Sequence, residues 1–103
     1  MSNGIVYVIC TNVGRAILKA HMTYHPEINI LKIYCLDEEK GASKSNYDNY
    51  IDLKIKYNLP IEYIKSINSP EVLSYLRKVS PTLIIQSGWS QKFCDALLEI
   101  PLY

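Results

Sequence analysis

Apolar runs alternate with helical spacings four times along this chain. Ile5-Val6-Tyr7-Val8-Ile9-Cys10 is an unbroken β-branched and aromatic run, the pattern of a strand buried on both faces of a parallel sheet. Val13, Ile17, Ala20 and Tyr24 follow at intervals that place them on one face of a helix, which Pro26 ends. A second apolar run covers Ile28 to Leu36. Asp37 to Asn46, with Gly41 and several Ser and Asn residues, reads as a loop. Tyr47, Ile51 and Ile55 mark a second helix of about three turns. Pro60 to Ile64 is a short strand; Glu62 and Lys65 make it the most polar of the strands, which predicts a place at the sheet edge. The third helix carries the clearest start signal, with Ser69 as N-cap, Pro70 in the first position and Glu71 at the positive end of the helix dipole. Val72, Leu73, Leu76 and Val79 supply its apolar stripe, and Ser80-Pro81 stops it. Thr82 to Ser87 is the fourth strand. Gly88 then makes a turn into a short helix near Ser90 to Leu98, closed by Pro101.

The order βαβαβαβα predicts an α/β, Rossmann-like, doubly wound parallel sheet with strand order 3-2-1-4, formed by one domain over residues 1–103. In such sheets ligands bind at the carboxyl ends of the strands, beside the switch point between strands 1 and 4.

Composition narrows the classes of partner. Hydrophobic residues make up 49% of the chain and charged residues 20%, which suits a packed domain and argues against disorder. A formal net charge of +1, with no run of like charge, gives no basis for capture of nucleic acid or an anionic membrane. The first apolar run is too short for a membrane span or a signal segment, so a cytoplasmic protein is expected. Cys10, Cys35 and Cys94 show no metal-binding spacing and read as reduced, buried thiols. His21 and His25 stand four apart, but no third ligand is evident; they read as two partly exposed helix residues, and no metal site is expected.

Two loops fall at the carboxyl edge beside the predicted switch point. The first is Cys10-Thr11-Asn12-Val13-Gly14-Arg15, backed by a helix N-terminus that favours a phosphate or carboxylate. It has Gly14 but not the further glycines of a dinucleotide fingerprint, and Asp37 stands where that fingerprint places its ribose-binding acid. Gly14 serves either ligand approach or tight packing of the helix on the sheet. The second loop is Ser87-Gly88-Trp89-Ser90-Gln91. Trp89, the only tryptophan, either stacks on a planar heterocycle or caps the core under the last helix.

Pro81-Thr82-Leu83-Ile84-Ile85-Gln86-Ser87-Gly88-Trp89-Ser90-Gln91, with Leu97-Leu98-Glu99-Ile100-Pro101 behind it, resembles the N-terminal domain of the 10-formyltetrahydrofolate-dependent formyltransferases. Tyr57-Asn58-Leu59-Pro60-Ile61 and Asn68-Ser69-Pro70-Glu71-Val72 are similar to two upstream segments of that family. The Gly-Trp-Ser-Gln form looks closest to the branch that formylates nucleotide-linked amino sugars. The resemblance implies that Gly88, Trp89, Ser90, Gln91, Lys92 and Phe93 hold the pterin of 10-formyltetrahydrofolate, although Lys92 and Cys94 depart from the family pattern. It further implies that Thr11, Asn12 and Gly14 meet the amino-sugar nucleotide acceptor. The family's catalytic Asn and His lie on the strand after the Ile-Pro, and a catalytic Asp follows. On that reading these 103 residues hold no catalytic residue and are a truncated product, a remnant, or one part of a split protein. The side of strand 1 at the switch point would then be an open edge that favours self-association or a missing C-terminal half. The alternatives are a binding module for folate or nucleotide without turnover, and a small flavodoxin-like or nucleotide-binding domain.

Overall fold

The computed structural model describes residues 4–41 and 46–87. Four parallel strands form one sheet in the order β3-β2-β1-β4, where β1 is Ile5–Ile9, β2 is Ile30–Leu36, β3 is Ile61–Ile64 and β4 is Leu83–Ser87. The helices are α1 (Asn12–Tyr24), the single turn α2 (Glu38–Gly41), α3 (Ile51–Tyr57) and α4 (Pro70–Val79). This is the α/β, Rossmann-like arrangement and the strand order that the apolar runs predict. No helix among the described residues is long and apolar enough to cross a membrane.

Every residue of β1 is buried, because the sheet is covered on both faces. Tyr7 and Ile9 point into a core shared with Leu18 of α1, Tyr50 and Leu53. Val6 and Val8 point the other way, into a core built with Ile67 and with Val72 and Leu76 of α4. The alternation of a strand therefore divides one apolar run between two cores. β3, at the edge, keeps Glu62 exposed, as its polarity predicts. The Ser69 hydroxyl accepts a hydrogen bond from the Val72 N–H, and Pro70 begins α4, as expected of that start signal.

Several expectations are corrected. The apolar stripe of α1 is not Val13, Ile17, Ala20 and Tyr24: the helix buries Gly14, Leu18 and His21, while Val13 and Tyr24 stand in solvent. Close approach of the helix to the strand requires a glycine, and His21 has polar partners inside. Asp37 to Asn46 is not wholly loop, since α2 forms there, capped by a bond from the Gly41 N–H to the Asp37 carbonyl. Tyr47 is outside any helix, pairing instead as an antiparallel bridge with Thr11. α3 starts later and buries Leu53 rather than Ile51 or Ile55, both exposed. β1 is flanked by β2 and β4, so it is not an open edge; among the described residues β4 pairs only with β1. The expected short helix near Ser90 to Leu98, and Cys94, lie outside the described residues.

Candidate functional site at the carboxyl edge of the sheet

β1 sits at the switch point, with β2 on one side and β4 on the other. Ile9 is in register with Ser87, so the chain leaves these two strands at adjacent places on the carboxyl edge. Beyond Ile9 lies the first candidate loop. Ser87 is the last described residue before the second, so Gly88, Trp89, Ser90, Gln91, Lys92 and Phe93 lie outside the described residues.

The first loop is roofed by the segment from Asn46 to Tyr50. The Asn12 N–H donates to the Asn46 carbonyl at 3.0 Å, and the Asp48 N–H donates to the Cys10 carbonyl at 3.0 Å. Between them Thr11 and Tyr47 form their bridge. The Tyr50 hydroxyl donates to the Thr11 carbonyl at 2.5 Å. Tyr50 is fully buried with a left-handed backbone, φ +56°, which brings its ring down between the loop and the core. The Asp48 carboxylate accepts from the Tyr50 N–H at 2.9 Å, and Asn49 Oδ1 accepts from the Ile51 N–H at 3.2 Å, so Asp48 and Asn49 together start α3.

Arg15, in the first turn of α1, ties the two layers together. Its Nε and Nη2 donate to Asp48 at 2.5 and 2.9 Å, and its Nη1 and Nη2 donate to Asp52 at 2.8 Å each. Bidentate pairing of this kind fixes orientation as well as charge. The hydrogen bonds from Arg15 hold the Asp52 carboxyl down at about 2. Burial pushes the Asp48 carboxyl up, but the Arg15 guanidinium and the Tyr50 N–H outweigh it and leave it below the ordinary carboxylate range.

The proposed acceptor residues fall into three situations. Asn12 is exposed. Gly14 is buried, and a Cβ there would stand 2.3 Å from the Tyr50 hydroxyl and 2.8 Å from Ile9 Cβ, so packing accounts for this glycine. Thr11 is 8% exposed, caps α1 without a side-chain hydrogen bond, and keeps Oγ1 buried with no partner among the described residues. Asp37, at the ribose position of a dinucleotide site, forms an ion pair with Lys65 at 3.1 Å, and Lys65 also reaches Glu39. Beside the roof, Glu38, Tyr47, Asp48 and Asn49 line an open cavity of about 370 Å³.

Cys10 and Cys35 are buried, as expected, and neither forms a disulfide among the described residues. Burial, with the neighbouring Cys10 adding to it, pushes the Cys35 thiol up to about 12, which leaves it unreactive at neutral pH. His25 is exposed, but His21 is buried, contrary to the expectation of two partly exposed residues. Its ring nitrogens are taken by the Tyr7 hydroxyl and the Ile28 carbonyl. Among the described residues no cluster of His, Cys, Asp or Glu could hold a metal ion.

Arg15, Asp48, Asp52 and Tyr50 are the site residues that the periodicity of the chain does not single out. The available signals were the i, i+4 spacing of Asp48 and Asp52 and the turn-forming Asp-Asn pair ahead of Ile51. No known family model matches this chain, and no functionally characterised protein is significantly similar to it.

Proposed function

We propose that the chain is the N-terminal part of a formyltransferase that moves a formyl group from 10-formyltetrahydrofolate to an amine on a nucleotide-linked amino sugar. The observation that carries the reading is the register of Ile9 with Ser87. It puts Ser87, the residue that precedes the Gly88–Gln91 motif in sequence, beside the end of β1 that leads into Thr11 and Asn12, which supports a reading in which donor and acceptor loops share one edge of the sheet. Trp89 supplies the face on which a pterin stacks, and the exposed Asn12 supplies polar contacts to the acceptor. His21 takes no part, because both its nitrogens are committed elsewhere. Formyl transfer itself would need an Asn, a His and an Asp from outside these residues, to polarise the formyl carbonyl and move the proton.

The test is a titration with 5-formyltetrahydrofolate, followed through the emission of the single tryptophan and, independently, by calorimetry. Binding is expected to change Trp89 emission, and Trp89→Ala is expected to abolish the heat of binding. No response from either method at millimolar ligand would remove the folate reading for this chain.

A further inference from the structure

The roof over the first loop is fastened in a way that points to movement. We infer that residues 46–48 are a strap over the first turn of α1, hinged at Tyr50 and latched by the Arg15–Asp48 pair, and that the loop accepts an anionic ligand only when the strap lifts. This rests on the reading that the first loop meets the acceptor.

Three observations carry it. The strap consumes polar groups of the loop, since the Asn12 N–H is spent on the Asn46 carbonyl and the Cys10 carbonyl accepts from the Asp48 N–H. With the strap down, Thr11 Oγ1 is also buried with no partner among the described residues, a desolvation cost that the closed state carries and that lifting relieves. The third is charge. With the strap down, one guanidinium faces two carboxylates, so the mouth of the loop holds one excess negative charge. Lifting takes Asp48 away and leaves Arg15 against Asp52, whose side chain is 63% exposed. The balance becomes neutral, and the helix N-terminus behind the loop then favours an anion. The hinge has a structural basis: Tyr50 stays buried in the core while its left-handed backbone turns the chain, and the bonds that must break for lifting lie on its N-terminal side.

Hydrogen exchange of single amides, read by NMR on the whole chain, tests this. Asp48→Asn keeps an oxygen for the Tyr50 N–H but removes the charge that grips Arg15. The amides of Asn12 and residue 48 are expected to exchange about ten- to a hundredfold faster in D48N, the range for losing a charged hydrogen bond. The amide of Val8, inside the sheet, is the reference and should not change. Inorganic pyrophosphate at low salt should shift the Val13 and Gly14 amides more strongly in D48N than in the unaltered chain. Arg15→Gln should speed the same two amides without the gain in pyrophosphate binding, because the cation is lost. Exchange at Asn12 and residue 48 that stays at the rate of Val8 in all three proteins would overturn the strap. Faster exchange with no gain in pyrophosphate binding by D48N would overturn its control of the anion. Neither result depends on a response of Trp89 to folate, so failure of the formyl-transfer reading is seen separately.

Discussion

The Nδ1 atom of His21 lies 2.7 Å from the hydroxyl oxygen of Tyr7, and its Nε2 lies 2.8 Å from the Ile28 carbonyl. A carbonyl only accepts, so Nε2 carries the hydrogen. Nδ1 then accepts from Tyr7, whose phenol burial pushes up and keeps protonated. One neutral tautomer satisfies both contacts and ties β1, α1 and the turn into β2 together. Tyr7→Phe leaves Nδ1 buried without a donor and should cost about 1–3 kcal/mol in urea unfolding. A loss below a few tenths would mean that a water replaces the phenol as donor to Nδ1, with the Nε2–H signature retained in the ¹⁵N shifts of His21.

Gly14 and Tyr50 make a second, sharper pair. Gly14→Ala sets a Cβ against the Tyr50 hydroxyl and Ile9, and overpacking there should cost about 1–3 kcal/mol. Removing the hydroxyl opens part of that space. In a double-mutant cycle with Tyr50→Phe, the two changes together should therefore cost less than their sum. Simple additivity would show that the clash is relieved by the backbone and that the hydroxyl does not fix the helix position.

How far this fold is legible in the chain follows from the same residues. Strands and their order are readable because an unbroken, short, β-branched apolar run such as Ile5 to Cys10 suits a strand covered on both faces. α4 is readable because Ser69, Pro70 and Glu71 each act locally. α1 misleads. It has apolar residues on more than one face, and the buried face is chosen by Gly14 and His21, residues that a count of hydrophobic positions passes over. Their value lies in Tyr50 and Tyr7, distant partners that no local period reports. The roof over the first loop is hidden for the same reason, since it is held by backbone bonds from a segment without periodicity and by one arginine reaching 33 and 37 residues ahead.

Ser80 ends α4 in the left-handed region, φ +47°, with its N–H bonded to the Leu76 carbonyl. An L residue with a Cβ is disfavoured in that conformation, and glycine is not. Ser80→Gly should raise stability by about 0.5–1 kcal/mol in the same urea assay. Asn58, at the matching place after α3 with φ +53°, should gain less from glycine, because asparagine tolerates the region better. A destabilised Ser80→Gly would mean that the hydroxyl makes a contribution larger than the backbone relief.

The Arg15 network sets how the fold responds to acid. Asp52 titrates at about 2 in the folded chain, against about 4 for an unfolded aspartate, and Asp48 is lowered as well. A depressed folded value contributes stability that is complete above the unfolded pKa and is lost as pH falls through the folded one. The stability from these two carboxylates is therefore present at neutral pH and fades between about pH 4 and 2. Arg15→Gln removes the cation that lowers both groups and leaves two like charges in one place, so the variant should be less stable at neutral pH. As acid neutralises the carboxylates the difference should close, because by then the unaltered chain has lost the same interaction. Urea midpoints of the two proteins measured from pH 6 to 2 read this directly. Curves that converge on the acid side place the network among the contacts that hold the fold. A constant gap at every pH would show instead that Arg15 acts through the packing of its aliphatic stem, with its ion pairs contributing nothing.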